Sequence, residues 1–377
     1  MTRPFGLYIH IPFCRQRCDF CSFYLELHRE PAAERFLSAL KREIALYGMQ
    51  PDLRRRAVCS VYFGGGTPTV LGSDSLIAIL TEVQKYFGLS NGCEITVEAH
   101  PSTVSDAAVG RLAEAGVTRM SFGAESMNDA ELLRVGRPGV SADTVTAVSQ
   151  ARSAGITNVN LDLMYGLPGQ SLSSWKRTLE RCAELEPSHL SCYALTVEPG
   201  TKFASHVRLG RVPMPDEDVQ NAMDEGAEGF LAAAGYERYE ISNYARPGFA
   251  CRHNLLYWTG GDYLGLGPSG QSFMSGRRFG NVADLAAYET ALAEARLPVI
   301  EEATLTDAER LRDAVVFGLR LVRGIPSRSL REHAGNFGYA STIADCQRAE
   351  LIEIEGERAR LTAKGRRYAD FVAERLY

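Results

Sequence analysis

The sequence predicts an α/β protein that consists of a partial (β/α)6 barrel and a smaller C-terminal α+β domain resembling a winged helix. Apolar, strand-like runs alternate with helical periodicity six times between residues 7 and 195, which favours a parallel sheet with crossover helices. Six such units are too few for a complete eight-fold barrel. From residue 306 onward the pattern changes to a helix, a hairpin and a final helix.

The six strands predicted for the barrel are short apolar runs, and most of them are followed by a helix. The strands are 7–11, 58–63, 93–99, 119–123, 159–164 and 189–195. The helices are 32–49, 74–87, 107–115, 129–135, 142–154 and 173–185. Ligands of parallel barrels bind at the carboxyl ends of the strands, so the loops after these strands are the candidates for function.

We expect three regions along the chain: a core over residues 1–200, a covering extension over 201–300 and a C-terminal domain over 301–377. A stretch rich in Gly, Pro and Arg at 200–215 indicates the first boundary. The other predicted elements are a helix at 216–234, a strand at 236–243, a Gly-rich stretch at 260–270, a helix at 308–322, a hairpin with strands 351–354 and 359–361, and a helix ending at 377.

Composition and charge disfavour several classes of protein. Hydrophobic residues make up 45% and charged residues 23% of the 377 residues, which are globular values. The net charge of −5 disfavours nucleic-acid binding through bulk charge. No apolar run reaches the roughly 18 residues of a membrane helix, and residues 1–6 lack the apolar core of a secretory signal. We therefore expect a cytoplasmic protein with no integral membrane segment and no nucleic-acid partner.

Three of the nine cysteines lie within eight residues, as Cys14, Cys18 and Cys21 in a C-x3-C-x2-C loop. A structural zinc site normally needs four ligands, and no second cysteine pair follows. A cubane iron–sulfur cluster has four irons, so three local thiolates would leave one iron open to another ligand. Soft thiolates suit such a cluster. The alternative is that the three thiols are buried or incidental.

Polar residues and glycines follow the next strands of the predicted barrel. The run 64–66 lets the backbone approach a ligand and offers amide donors, although it could equally be a tight turn. Glu98 could accept hydrogen bonds from ribose hydroxyls or be a paired surface residue. Asp162 interrupts an apolar strand and therefore needs partners. Arg137 could be that partner, or it could bind a carboxylate.

The cysteine loop resembles that of the radical S-adenosylmethionine (SAM) superfamily, in which the open iron of a [4Fe-4S] cluster chelates SAM. Cleavage of SAM there yields a 5′-deoxyadenosyl radical. Four further segments are similar to the oxygen-independent coproporphyrinogen III oxidase group of porphyrin biosynthesis, and two more to its heme chaperone branch, HemW. The first four are 8–14, 64–68, 160–170 and 239–244, and the last two are 252–258 and 262–268.

The resemblance implies roles for individual residues. Contacts to SAM and the cluster fall on the three cysteines, Tyr8, Gly65 and Glu98. A second SAM-binding region aligns with Phe20, Gly66, Thr67, Glu125, Arg137 and Asp162. For heme, His253 is the candidate iron ligand, Tyr257 and Trp258 offer flat surfaces, and Arg252 could pair with a propionate. Apart from the resemblance, His253 would be a core or surface histidine.

Some positions depart from the family pattern. Glu125 replaces a usual Gln, which puts an anion where a second SAM would bind. Phe23 stands where the oxidases carry an extra cysteine, and this argues against oxidation of coproporphyrinogen. Other differences are His100 in place of Asn and the segment 269–271 in place of Gly-Ala-His.

The resemblance therefore implies a radical-SAM-type heme chaperone that binds heme and delivers it to heme-requiring acceptor proteins, with a reductant for its cluster. Two alternatives stay open on the same scaffold. One is an oxygen-independent coproporphyrinogen III oxidase, and the other is a radical SAM methyltransferase or cyclopropane-forming enzyme.

Overall fold

A twelve-stranded sheet lies at the centre of the molecule. The computed structural model describes residues 3–214 and 216–377. In chain order the strands of this sheet are β1 (Phe5–Ile11), β2 (Val58–Gly65), β3 (Leu89–Ala99), β4 (Arg119–Glu125), β5 (Asn158–Tyr165), β6 (His189–Ala194), β7 (Glu237–Arg238), β8 (Asn243–Ala245), β9 (Asp262–Leu266), β10 (Gln271–Met274), β11 (Arg277–Asn281) and β12 (Val299–Thr304). Their spatial order is β12-β11-β10-β9-β1-β2-β3-β4-β5-β6-β8-β7.

The six strands predicted for the barrel are present and pair in parallel in chain order. A seventh strand, β9, pairs in parallel with β1 on the side away from β2, with Leu7 opposite Leu264. The prediction of only a Gly-rich stretch there was incomplete. The glycines interrupt the apolar pattern of a strand whose Leu264 and Leu266 are fully buried. The sheet thus continues through residues 262–304, and the regional boundaries at 200 and 300 stay predictions.

The strand predicted at 236–243 is wrong in its extent. The chain forms two short strands, β7 and β8, that pair with each other in antiparallel fashion. Between them the buried Glu240 carboxylate accepts hydrogen bonds from the Ser242 amide and from the Asn243 side chain. These local bonds turn the chain back and end the strand.

Helices follow most of the parallel strands and pack their apolar sides against the sheet. The first helix turns Phe36, Leu40 and Ile44 toward the core at helical spacing. The α-helices before residue 300 are Glu30–Gly48, Pro51–Arg54, Gly72–Tyr86, Asp106–Glu114, Asp129–Arg134, Ser141–Ser153, Leu172–Glu184, Lys202–Arg208, Glu217–Ala233, Arg252–Trp258 and Leu285–Ala293. Among the helices of the described residues, none has the length and apolar composition needed to cross a membrane.

The C-terminal residues have a hydrophobic core of their own, which includes Val315, Leu330 and Ile352. An antiparallel sheet of three strands contains β13 (Ile325–Pro326), β14 (Ile352–Glu355) and β15 (Arg358–Leu361). The helices are Asp307–Gly318, Ser327–Phe337, Ala340–Arg348, Ala363–Arg367 and Ala369–Leu376. The predicted hairpin is confirmed within one residue, whereas the two helices before it were missed. The winged-helix resemblance stays a prediction.

Glu43, in the first helix, forms hydrogen bonds to the part of the chain that contains β9, β10 and β11. Its fully buried carboxylate accepts hydrogen bonds from the Gly267 amide at 2.8 Å, from Asn281 Nδ2 at 2.6 Å and from the Tyr288 hydroxyl at 2.6 Å. Burial raises the pKa of Glu43 from 4.5 to about 7. The folded chain therefore binds this proton more tightly than the unfolded chain. The resulting stabilisation is complete below pH 4.5 and is lost as pH rises through about 7.

Replacing Glu43 by Gln should flatten the pH dependence of the free energy of unfolding, because an amide cannot ionise in the core. Urea unfolding at about pH 5 and about pH 8 measures the difference. The exposed Glu34 of the same helix offers the matched control Glu34→Gln, which should keep the wild-type dependence. Equal pH dependence in Glu43→Gln and wild type would contradict this account.

Candidate functional site

A cavity of about 710 Å³ opens within the parallel strands and is the candidate site. This volume lies within the range of roughly 300–1,000 Å³ that is typical of ligand sites. Most of the residues proposed from the sequence to bind the cluster and SAM line it. They are Cys14, Cys18, Phe20, Cys21, Gly65, Gly66, Thr67, Glu98, Glu125, Arg137 and Asp162.

The three cysteines lie on the loop that follows β1, and all three are free thiols. Cys14 Sγ lies 3.3 Å from the Thr67 hydroxyl, and Cys18 Sγ accepts a hydrogen bond from Arg137 Nη1 at 3.5 Å. Burial raises the pKa of both thiols, while the nearby Arg137 charge acts in the opposite direction. Their deprotonation is therefore favoured by a bound metal cation rather than by the pocket alone.

The donor set fits a polynuclear cluster better than a single metal ion. In the described residues no three His, Cys, Asp or Glu side chains converge closely enough to hold one ion. A mononuclear site needs all of its sulfur ligands about 2.3 Å from the same metal. A four-iron cluster is larger and is held through several of its irons, so thiols spread around one cavity suit it.

The aromatic cover of the cysteine loop is uneven. Phe13 is fully buried against Phe36, and Phe20 lines the cavity in a half-buried position. Phe23 is 64% exposed although it also lines the cavity. Phe13 and Phe20 can therefore shield the cysteine loop from water, whereas Phe23 lies on the solvent side.

The glycine run at the end of β2 holds the cysteine loop in place. The Gly66 amide donates to the Ile11 carbonyl at 2.8 Å, and the Thr67 amide donates to the Phe13 carbonyl at 2.7 Å. A Cβ on Gly66 would lie only 2.6 Å from that Phe13 oxygen. The Gly66 and Thr67 amides are thus used within the protein, as in the alternative of a tight turn, while contact of these two residues with SAM stays a prediction.

Glu98 lies at the carboxyl end of β3 and belongs to the cavity rather than to the surface. It accepts hydrogen bonds from the Tyr62 hydroxyl at 2.7 Å and from the Gly65 amide at 3.3 Å. Burial raises the pKa of Glu98 to about 7. Tyr8 lies beside the cavity rather than in its lining, and its hydroxyl is 3.2 Å from His10 Nδ1. Contact of Tyr8 with SAM stays a prediction.

Arg137 pairs with Glu125, so the first of its two predicted roles, partner of Asp162, is wrong. Its Nη2 lies 3.4 Å from Glu125 Oε1. Burial raises the pKa of Glu125 to about 7, although Arg137 opposes that shift. Glu125 also has φ of +61°, a conformation uncommon outside glycine.

Asp162 is satisfied by neutral donors instead. The Ser121 hydroxyl donates to its Oδ2 at 3.0 Å, and Asn160 Nδ2 donates to its Oδ1 at 2.9 Å. Both donors also line the cavity. The carboxylate is thus held in a fixed orientation at the cavity wall.

The predicted heme residues lie on a separate helix, Arg252–Trp258, which packs against the first residues of β1 and β2. His253 is buried, with Nδ1 2.9 Å from the Ser60 hydroxyl and Nε2 2.9 Å from the Tyr257 hydroxyl. Burial, with a smaller contribution from Arg119, lowers the pKa of His253 to about 3. The ring is therefore neutral, and both of its nitrogens already have partners.

The other three predicted heme residues also have partners within the protein. Arg252 donates to the Gly92 carbonyl at 2.7 Å. The Tyr257 ring packs edge-on against Tyr263, and the Arg320 guanidinium lies over the Trp258 ring. Of this helix only Asn254 lines the cavity. Heme contacts of these residues stay predictions.

Several cavity residues were not found from the sequence, namely Tyr62, His100, Arg119, Ser121, Asn160, Ser191, Tyr193 and Asn254. A usable signal existed for two of them. Arg119, Ser121, Gly123 and Glu125 are alternate residues of one strand, and alternate residues of a strand face the same side. Glu125 was already a candidate, so it pointed to Arg119 and Ser121 as well. His100 is fixed by the Pro138 carbonyl at 2.9 Å.

Comparison with known proteins identifies the class first. The model of the radical SAM superfamily matches residues 8–182, and that of the HemN C-terminal domain matches residues 305–368. The structure of coproporphyrinogen III oxidase (HemN) from Escherichia coli, a radical SAM enzyme, superposes with a TM-score of 0.86 at 25% identity, covering 99% of this chain and 90% of that chain. The chain is thus a radical SAM protein with a HemN-type C-terminal domain.

Sequence relatives then give the particular family. Heme chaperone HemW from Mycobacterium tuberculosis (strain CDC 1551 / Oshkosh) is 37% identical, covering 99% of this chain and 95% of the relative. Heme chaperone HemW from Bacillus subtilis (strain 168) is 33% identical, covering 95% of both chains. The chain belongs to the HemW family.

Adding one methyl group at Gly66 should loosen the cysteine loop. We expect Gly66→Ala to lower the free energy of unfolding by about 2–4 kcal/mol, because backbone rather than a flexible side chain must move. Iron retained per chain after anaerobic reconstitution should fall as well. The control Gly110→Ala adds a methyl group to the helix Asp106–Glu114 with no atom within 4 Å. If Gly66→Ala retained iron and stability as Gly110→Ala does, the loop would not depend on this contact.

Proposed function

We propose that the chain is a heme chaperone, which carries a [4Fe-4S] cluster and SAM, binds heme and delivers it to heme-requiring acceptor proteins. The observation that carries the proposal is full-length similarity to proteins named heme chaperone HemW, combined with three free thiols around one cavity. We further propose a cytoplasmic location and a reductant for the cluster, both of which stay predictions.

In this proposal Cys14, Cys18 and Cys21 hold the cluster. When bound, the cluster supplies an electron and an open iron that chelates SAM. Glu98 is fixed by Tyr62 and Gly65, so that its carboxylate can accept hydrogen bonds from a hydroxyl-bearing ligand in the cavity. The apolar rings of Phe20 and Tyr193 line the same cavity and would limit the entry of water.

A second SAM is the less favoured occupant of the region around Glu125. The Glu125 carboxylate already faces Arg137 at 3.4 Å, and that arginine also contacts Cys18. These contacts tie the pair to the loop of the cluster. We therefore assign Glu125 and Arg137 a role in holding the cysteine loop, with one SAM bound at the cluster.

Heme binding through His253 needs a specific local rearrangement. The neutral imidazole is the form that ligates iron. In this structure Nε2 is hydrogen-bonded to the Tyr257 hydroxyl and Nδ1 to the Ser60 hydroxyl. His253 would hold the iron through Nε2 only if the bond to Tyr257 were lost, and the bond to Ser60 would then fix the tautomer and the direction of the ring.

A hemin titration followed through the Soret band tests this function. Wild type should shift the band and saturate, and His253→Ala should bind at least about tenfold more weakly because the iron ligand is lost. His206→Ala, in the helix Lys202–Arg208, is the matched control and should bind like wild type. Thermal unfolding of each variant separates loss of a ligand from loss of the fold. No band shift with cluster-loaded wild type would contradict the chaperone function.

Product analysis distinguishes the heme chaperone from the alternative function, a coproporphyrinogen III oxidase. The similarity to HemN favours testing it, whereas Phe23 in place of the extra cysteine argues against it. Reconstituted wild type incubated with SAM, a reductant and coproporphyrinogen III should release no decarboxylated porphyrinogen. Its appearance by mass spectrometry would overturn the proposed function in favour of the oxidase.

A further inference from the structure

Arg119 is a buried cation inside the cavity that no ligand assignment above uses. It begins β4, its side chain is 2% exposed, and it lines the cavity together with Tyr62 and Asn254. Along the same strand Glu125 lies six residues further on, roughly 20 Å at strand spacing. Arg119 therefore marks the inner end of the cavity, and the cysteine loop marks the outer end.

The guanidinium of Arg119 lacks the partners that a buried arginine normally has. Its Nε and Nη1 atoms are inaccessible to solvent and make no hydrogen bond within the described residues. No carboxylate of residues 3–214 or 216–377 forms an ion pair with it, in contrast to Arg137 and Arg238. The neighbouring Glu94 carboxylate already accepts from the Arg252 and His253 amides.

A guanidinium stays charged at every physiological pH and is poorly tolerated in a protein interior without an anion. The planar fork of arginine binds a carboxylate through two parallel hydrogen bonds. Arg119 lines the cavity without an ion-pair partner among the described residues and is therefore suited to a carboxylate that arrives with a ligand.

We infer that Arg119 binds a carboxylate of the ligand that occupies the inner end of the cavity, and that this carboxylate is a propionate of a tetrapyrrole. This inference rests on the proposed function. Two carboxylate sources are available there, SAM and heme. The SAM carboxylate is required at the open iron, near the cysteine loop, whereas Arg119 lies at the opposite end of β4.

The surroundings of Arg119 favour the tetrapyrrole. Cys251 and His253, at the start of the helix Arg252–Trp258, are close enough to interact electrostatically with the guanidinium. Asn254 of that helix lines the same cavity as Arg119. The proposed iron ligand His253 and the proposed carboxylate ligand Arg119 therefore lie in the same part of the molecule.

The test compares two porphyrins and SAM on cluster-loaded protein. Wild type should bind hemin about 10- to 100-fold more tightly than hemin dimethyl ester, whose propionates carry no charge. Arg119→Met should bind both porphyrins with the weak affinity that wild type has for the ester, while SAM affinity changes less than about twofold. Arg246→Met, a guanidinium packed on Tyr236 away from the cavity, is the matched control and should bind like wild type.

Each contrary result has a distinct meaning. If wild type bound hemin and its dimethyl ester with equal affinity, the claim that Arg119 binds a propionate carboxylate would fail. This comparison needs no variant. If Arg119→Met bound SAM more weakly but bound hemin like wild type, the carboxylate at Arg119 would come from SAM and not from a tetrapyrrole. Failure of wild type to bind either porphyrin contradicts the proposed function itself.

The melting temperature of ligand-free Arg119→Met tests the alternative that Arg119 has only a structural role. Removing an unpaired buried charge should leave the melting temperature of Arg119→Met equal to or above that of wild type. A large fall would indicate that Arg119 holds the fold together, and this would overturn its assignment to a ligand.

Discussion

Two backbone hydrogen bonds, from Gly66 to Ile11 and from Thr67 to Phe13, join the cysteine loop to the end of the neighbouring strand. They require a residue without a side chain at Gly66, since a Cβ there would collide with the Phe13 carbonyl. Because the loop is fixed at its start, all three thiols face one cavity. The placement of a cluster, and of any ligand at its open iron, depends on this junction.

The cavity beyond that junction is electrostatically incomplete. Glu98 and Glu125 are buried carboxylates whose pKa values burial raises to about 7, and Arg119 is a buried cation without an ion pair. Glu125 pairs with Arg137, whereas Glu98 and Arg119 form no ion pair within the described residues. The Glu98 carboxylate and the Arg119 guanidinium are therefore left to interact with a ligand. The same pattern is common at functional sites, where perturbed titrating groups cluster.

Much of the fold could be predicted from local patterns, because apolar residues recur along each of the six parallel strands and helical periodicity follows most of them. Strand β9 could not, because glycines break up its apolar pattern and its pairing with β1 joins residues more than 250 positions apart. The cysteines and glycine run are local motifs and were found. Arg119 was missed because its lack of a partner is a property of the packed interior. The partners of His253, which make it a buried and fully bonded residue, are likewise set by tertiary contacts with Ser60 and Tyr257.

Iron and sulfide content is the measurement that tests the central claim most directly. After anaerobic reconstitution the wild-type chain should hold about four irons and four sulfides, with the broad brown absorption of a cluster. The triple variant with alanine at Cys14, Cys18 and Cys21 should hold neither, whereas alanine at Cys59 and Cys346, outside the cavity, should leave the content unchanged. A triple variant that retained iron and sulfide at the wild-type level would contradict the account.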